Sequence, residues 1–98
     1  MKGSESTSKA GAEIYVSGRV QGVFFRQFTK ETATHLGLTG YVQNLPDGRV
    51  KVVAEGNQEK LDKLIDKLHK GPSMANVENA DVNWHKPTEK FADFHVKH

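Results

Sequence analysis

The sequence predicts an α+β domain in which an antiparallel sheet carries two helices on one face. Apolar residues recur at every second position in several stretches, as in strands, and at helical spacing in two others. The two kinds of stretch follow in the order strand, helix, strand, strand, helix, strand. We expect one domain, over residues 12–98, because 98 residues bury a single core of modest size.

The first half of the chain predicts a strand, a helix and a hairpin. Residues 13–20 alternate between apolar and polar, which is typical of a strand with one buried face. From Phe25 the apolar spacing becomes helical, through Phe28, Thr32 and Leu36 with Ala33 beside them, and the helix is expected to stop at Gly37. Residues 39–54 are again extended, apart from a tight reversal predicted by the Pro and Gly of residues 45–48.

The second half predicts another helix and two more strands. Asn57 is suited to cap a helix, and Gly71 is suited to end it. Two further alternating stretches, 77–85 and 92–96, complete the sheet, although Val77 falls out of the alternation. A split βαβ order, βαββαβ with a short C-terminal strand, is that of the ferredoxin-like fold.

Composition limits the classes of function. Lysine and arginine (14) barely exceed aspartate and glutamate (12), and the charges are interspersed, so we expect no nucleic-acid partner. The absence of cysteine excludes disulfides and thiolate chemistry, and five scattered histidines predict no metal site. Residues 1–11 are mostly polar and small, so we expect a flexible tail, no membrane span and a cytoplasmic location.

The stretch from Val16 to Arg26 predicts a binding site for an anion. It runs from a strand through a short loop into a helix, where unpaired backbone N–H groups converge and Gly22 lets an anion approach closely. A cation in the first turn opposes the helix dipole by about 0.3–1 kcal/mol, unless a bound anion reverses the sign. Spacing alone leaves a solvated surface arginine as an equal alternative.

Two stretches of the sequence carry a resemblance to a known family. Residues 18–26, which read GRVQGVFFR, and residues 40–44, which read GYVQN, resemble the two signature stretches of the acylphosphatases. Gly48, Val50 and Gly56 follow at compatible spacing. The resemblance extends from about residue 12 to the end of the chain, so it is more specific than a single loop pattern.

The resemblance implies a monomeric enzyme that hydrolyses the carboxyl–phosphate bond of acyl phosphates, without a metal ion or an organic cofactor. It implies that Arg26 and the backbone amides of roughly residues 21–26 bind the phosphoryl group, and that Asn44 holds the attacking water. Inorganic phosphate, the product, is then expected to compete with the substrate. The substrate-binding residues predicted in this way are Gln21, Gly22, Val23, Phe24, Phe25 and Arg26.

Other interpretations stay open beside this one. Asn44 alone, ahead of a Pro-Asp-Gly sequence, is more simply a turn former, and Leu45 stands where some members of the family have a polar residue. An RNA-recognition domain of the same element order would carry aromatic residues on its third strand, where residues 49–54 have none. Two further alternatives are an accessory domain that binds acyl phosphates in a larger assembly and a ligand-binding domain that dimerises through sheet edges. A test of hydrolysis by the isolated domain distinguishes the first from an enzyme, and a molecular mass that does not depend on concentration would exclude the second.

Overall fold

Five strands and two helices make up the part of the chain that the computed structural model describes, residues 8–98. They follow in the order β1 (Lys9–Arg19), α1 (Phe25–His35), β2 (Thr39–Asn44), β3 (Val50–Asn57), α2 (Gln58–Lys70), β4 (Asn76–His85) and β5 (Phe94–Val96). The strands form one sheet in the order β4-β1-β3-β2-β5. The predicted fold is confirmed, but β5 runs parallel to β2, so the sheet is mixed rather than wholly antiparallel.

The first strand begins before the predicted domain boundary at residue 12. Lys9 pairs with Asn57 across β1 and β3, and the Ser8 carbonyl accepts a hydrogen bond of 2.9 Å from the Gln58 amide. Residues 9–11 therefore belong to the sheet, because backbone pairing extends the strand where the side-chain alternation is weak. The rest of the predicted tail, residues 1–7, lies outside the described residues.

One face of the sheet carries both helices and a single core. Alternate residues of β1 and β3 point to that face, where they pack with one stripe of side chains from each helix. The buried core comprises Ala12, Ile14, Val16, Val20, Val23, Phe25, Ala33, Leu38, Val42, Val50, Val52, Ala54, Leu61, Leu64, Leu68 and Phe94. Within residues 8–98, neither helix has the length and apolar character needed to cross a membrane.

The buried stripe of α1 differs from the predicted one. Phe25, Thr29 and Ala33 are buried, whereas Phe28 is only half-buried. Thr29 tolerates burial because its hydroxyl donates a 2.8 Å hydrogen bond to the Phe25 carbonyl within the helix. The buried face of α1 therefore includes Thr29, a polar residue, where the apolar spacing predicted Phe28 and Thr32.

A β-bulge in β4 explains why Val77 breaks the alternation. Val77 pairs with Gly18, whereas the preceding residue of β1, Ser17, pairs with Asn79, so Glu78 is an extra residue. The extra residue returns Val77 to the core side, where it packs on the core. Trp84 continues the alternation on the same strand, but it lies at the edge of the sheet and is 47% exposed.

The segment between β4 and β5 is fastened to β3 by Glu55, which is buried. One carboxylate oxygen accepts hydrogen bonds from the Thr88 amide (2.9 Å) and hydroxyl (2.8 Å), and the other accepts one from the Glu89 amide (2.9 Å). Burial raises the pKa of Glu55, but these hydrogen bonds outweigh it and hold the pKa below the ordinary 4.5. The segment crosses the open face of the sheet, where Phe91 meets Tyr41 edge-on.

Candidate active site

A pocket of about 520 Å³ opens at the edge of the sheet where α1 begins. The C-terminal ends of β1, β2 and β5 meet at this edge, because the three strands run in the same direction. The volume is in the range of small-molecule sites. Its lining residues are Val20, Gly22, Phe24, Phe25, Arg26, Gln27, Lys30, Asn44, Val96 and His98.

The loop from β1 to α1 holds an unusual backbone conformation. Gly22 has a φ of 74°, and Phe24, at the N-cap position of α1, has a φ of 65° in the left-handed region. For a residue with a Cβ this conformation costs roughly 1–2 kcal/mol. The Phe24 side chain is 76% exposed, so its burial recovers little of that cost. Strain of this kind concentrates at functional sites.

The same loop leaves backbone donors without partners. Phe24 provides no side-chain cap for α1, and the first turn of the helix contains no acidic residue. In the described part of the chain, the N–H groups of residues 22–26 have no hydrogen-bond acceptor. Left-handed and helical residues in succession direct such groups toward one point, which makes a concave site for an anion.

Arg26 adds a full positive charge to this set of donors. Its side chain is half-buried, and of the carboxylates in residues 8–98 none lies within 4.0 Å of it. Its Nη1 lies 3.5 Å from Nδ1 of His98, which is also on the pocket wall. The guanidinium is therefore available for an anionic group, whose oxygens a planar fork suits.

Asn44 is the last residue of β2 and belongs to the pocket lining. Its Oδ1 is buried and has no hydrogen-bond partner among the described residues. A buried acceptor left in this state costs about 1–3 kcal/mol, so it calls for a ligand or a water as its partner. Asn44 and Arg26, to which the family resemblance assigns roles in one reaction, line the same pocket.

The side chains of Gln21 and Val23, two of the predicted substrate-binding residues, do not line the pocket, although the Val23 amide is one of the unpaired donors of the loop. The Gln21 Nε2 donates to the carbonyls of Leu45 (2.8 Å) and Arg49 (2.9 Å), on the hairpin that follows Asn44. The Val23 side chain is in the core. Both side chains hold the loop in position, whereas Gly22, Phe24, Phe25 and Arg26 form the pocket wall.

The hairpin itself is a predicted reversal that the structure confirms. The Leu45 amide donates to the Arg49 carbonyl (2.8 Å), and the Gly48 amide donates to the Leu45 carbonyl (3.1 Å). Asp47 accepts from the Arg49 amide (3.0 Å) and from its Nε (2.8 Å), and the backbone hydrogen bond from Arg49 is the main reason why the pKa of Asp47 is lowered. This turn fixes the two carbonyls to which Gln21 is bonded.

Five lining residues are not among the predicted site residues: Val20, Gln27, Lys30, Val96 and His98. Lys30 follows Arg26 by four positions, a spacing that places both on one face of a helix and was available as a signal. Val96 and His98 reach the pocket only because β5 pairs with β2, with the Lys97 amide extending the pairing to the Val42 carbonyl (2.9 Å). His98 is one of the five scattered histidines to which the sequence assigned no role; it is exposed, but it contacts Arg26.

Metal ligands are not assembled in this part of the molecule. Across residues 8–98, no three side chains of His, Asp or Glu come together in a way that could hold a metal ion. The polar side chains among the lining residues are those of Arg26, Gln27, Lys30, Asn44 and His98. Such a set suits an anion better than a cation.

Comparison with known proteins gives the family. The acylphosphatase family model matches residues 12–96. An acylphosphatase of Methanococcoides burtonii is 60% identical over 86 residues, covering 88% of this chain and 90% of the relative. The crystal structure of acylphosphatase from Bacillus subtilis superposes with a TM-score of 0.88 at 32% identity, over 91% of this chain and 99% of that one.

A second solved structure agrees over almost the full length of the chain. An acylphosphatase from Coxiella burnetii superposes with a TM-score of 0.87 at 37% identity and covers 99% of this chain and 100% of that one. The resemblance that residues 18–26 and 40–44 carry is therefore confirmed. The chain belongs to the acylphosphatase family and is, by that membership, a hydrolase.

Proposed function

We propose that this chain hydrolyses acyl phosphates to a carboxylate and inorganic phosphate in the pocket at the start of α1. One observation carries the proposal: a guanidinium without a carboxylate partner, an uncapped helix start and an unpartnered buried amide oxygen all belong to the wall of one pocket. Each of these features is unfavourable in the empty protein. All three become favourable when a phosphoryl group and a water are bound.

The phosphoryl group occupies the concave end of α1. Its oxygens accept from the amides of residues 22–26 and from the Arg26 guanidinium, whose planar fork engages two of them. The transition state of phosphoryl transfer is loose and concentrates negative charge on these oxygens. Preorganised donors of this kind stabilise such a state by on the order of 3 kcal/mol each.

Asn44 positions the water that attacks phosphorus. Its buried Oδ1 accepts a hydrogen from the water, and its Nδ2 can donate to a phosphoryl oxygen, so one side chain aligns nucleophile and electrophile. The new bond joins the water oxygen to phosphorus, and the bond from phosphorus to the carboxylate oxygen breaks. The carboxylate leaves with the electron pair, and a substrate phosphoryl oxygen takes the proton of the water.

The chemistry needs little more than this equipment. A carboxylate is a good leaving group, so no covalent nucleophile is required, and neither signature stretch supplies one. We propose accordingly that the enzyme acts without a metal ion or an organic cofactor, as a monomer, in the cytoplasm. Inorganic phosphate competes with the substrate because it fits the same donors.

The test is hydrolysis of benzoyl phosphate by the purified chain in excess chelator, with Arg26→Ala measured beside it. We expect rapid hydrolysis by the unchanged protein alone, with competitive inhibition by inorganic phosphate. A folded but inactive protein would favour the accessory-domain alternative. A mass that rises with protein concentration would favour the ligand-binding domain that pairs through sheet edges.

A further inference from the structure

His98 lines the pocket, and the proposed function gives it no role. Its Nδ1 lies 3.5 Å from Nη1 of Arg26. Within residues 8–98, the Arg26 guanidinium makes no other hydrogen bond to a side chain and no ion pair. The imidazole is therefore the side chain that constrains the orientation of this guanidinium.

The strand before His98 fixes where its imidazole lies. β5 pairs with β2, and the Lys97 amide extends the pairing with a 2.9 Å hydrogen bond to the Val42 carbonyl. Side chains alternate along this strand: Val96 lines the pocket, whereas the Lys97 ammonium lies 4.7 Å from the centre of the Tyr41 ring. The alternation returns His98 to the pocket side, so the sheet itself brings the imidazole to the site.

The chemistry of the contact assigns a role to each group. A guanidinium has only hydrogens to donate, so Nδ1 of His98 is the acceptor, and the hydrogen of the neutral imidazole is on Nε2. The contact engages one of the N–H groups of Arg26, so the others stay available to phosphoryl oxygens. At 3.5 Å the hydrogen bond is long, and its effect is correspondingly modest.

Protonation of His98 removes this contact. An imidazolium has no acceptor, and its charge repels that of Arg26. Of the elements that line the pocket, α1 contributes the cations Arg26 and Lys30, β2 contributes the uncharged Asn44, and the loop from β1 contributes no charge. Lys97 adds a further positive charge on the opposite face of the sheet. Because no carboxylate of residues 8–98 lines the pocket, none offsets the repulsion.

We propose that His98 is a positioning residue for Arg26: its neutral imidazole holds the guanidinium in one orientation, and protonation releases it. The inference rests on the proposed function and adds a residue to the same site. A released guanidinium still attracts a phosphate by its charge, but stabilisation of the transition state needs its planar fork aligned with two oxygens. The contribution of His98 is therefore to kcat more than to phosphate affinity.

Three variants test the proposal with benzoyl phosphate at pH 8. His98→Phe keeps a ring but removes the acceptor, and we expect kcat/KM to fall about threefold to tenfold, mainly through kcat, with little change in inhibition by inorganic phosphate. His98→Asn keeps an acceptor at the position of Nδ1 and should restore most of the activity. His95→Phe, which changes an exposed histidine of β5 outside the pocket, should retain the activity of the unchanged enzyme.

The pH dependence distinguishes positioning from a structural role. The ratio of kcat/KM between the unchanged enzyme and His98→Asn cancels the titration of the substrate, since both act on the same compound. We expect this ratio to be near one at pH 8 and to fall about threefold between about pH 7 and pH 5.5, where imidazoles become protonated. A ratio that stays constant or rises on acidification, or full activity of His98→Phe at pH 8, overturns this inference alone. Inactivity of the unchanged enzyme overturns the proposed function as well.

Discussion

The two helices of this protein begin in opposite ways. At α2 the Asn57 Oδ1 accepts hydrogen bonds from the amides of Glu59 (2.9 Å) and Lys60 (3.3 Å), and Glu59 places a negative charge in the first turn. At α1 the corresponding position is Phe24, in a left-handed conformation and without a capping side chain, and the charge in the first turn is that of Arg26. The start of α2 provides acceptors and a negative charge for its own backbone N–H groups, whereas the start of α1 does not.

The difference shows what each helix start contributes to the molecule. The cap of α2 is of a kind that stabilises a protein by about 1 kcal/mol. The start of α1 forgoes such a contribution, adds backbone strain at Phe24 and sets a cation against the positive end of the helix dipole. Under the proposed function, the unfavourable features at α1 serve to bind a ligand, whereas the start of α2 serves only the stability of the fold.

The largest effect is expected at Arg26, where the comparison is sharpest. Arg26→Ala should lower kcat/KM for benzoyl phosphate by about a thousandfold or more, because it removes the full charge from the transition-state site. Its free energy of unfolding in urea should stay the same or rise by about 0.3–1 kcal/mol, since a misplaced cation leaves the first turn. Arg26→Lys is the control: it keeps the charge but loses the planar fork, so activity should not return.

Asn44 is expected to have the next largest effect. Asn44→Ala should lower kcat for benzoyl phosphate by roughly a hundredfold, because the water is no longer held in line, whereas the affinity for substrate and for phosphate should fall much less. Gln43→Ala is the matched control, since the neighbouring residue of a strand points to the opposite face and does not line the pocket. Loss of affinity in proportion to kcat would instead make Asn44 a binding residue.

Glu55, like Asn57, accepts hydrogen bonds from backbone N–H groups that would otherwise be unpaired. Glu55→Gln should lower the free energy of unfolding by about 1–3 kcal/mol at neutral pH, because amides of Thr88 and Glu89 lose a charged acceptor. The pKa of Glu55 is lowered in the folded state, so its contribution is present above pH 4.5 and is lost as the pH falls through the folded pKa.

The check is urea unfolding of both proteins from pH 7 to pH 3. The difference in stability between the unchanged protein and Glu55→Gln should be largest at neutral pH and should shrink as the pH falls below 4.5. A difference that is constant over this range would mean that the carboxylate charge does not contribute. Activity on benzoyl phosphate at neutral pH should be retained, since Glu55 is not in the pocket lining.

The smallest effect is expected for Asn57, which caps α2. Asn57→Ala should lower the free energy of unfolding by about 1 kcal/mol, because two amides lose their acceptor. The rate of benzoyl phosphate hydrolysis and the inhibition by phosphate should not change. Thermal unfolding and steady-state kinetics on the same preparation check both statements. A loss of phosphate affinity in Asn57→Ala would contradict the division of roles between the helix starts.

Local chemistry decided which elements the sequence could predict. The cap at Asn57 and the reversal at residues 45–48 depend on neighbouring residues, so both were predictable. That Arg26 and Asn44 act together was implied by the family resemblance, and the order of the strands in the sheet brings both to one pocket. The roles of these two residues stay predictions until they are measured.

Features that depend on pairing between distant strands were not predictable. The parallel pairing of β5 with β2 brings Val96 and His98 to the pocket. No residue of the C-terminal stretch indicates whether the strand runs parallel or antiparallel to its neighbour. The bulge at Glu78 similarly depends on the fit of β4 against β1, where a Cβ at Gly18 would collide with the Asn76 carbonyl. The role of Gln21 was likewise not predictable, because its hydrogen-bond partners, the carbonyls of Leu45 and Arg49, lie on a distant hairpin.

The most direct test of the contrast between the helix starts is a titration with inorganic phosphate, followed by the amide resonances of the backbone. We predict saturable shifts at residues 22–26, with none at the amides of Glu59 and Lys60, and a much weaker response in Arg26→Ala. Shifts of similar size at both helix starts, or shifts at residues 22–26 that Arg26→Ala leaves unchanged, would contradict the account.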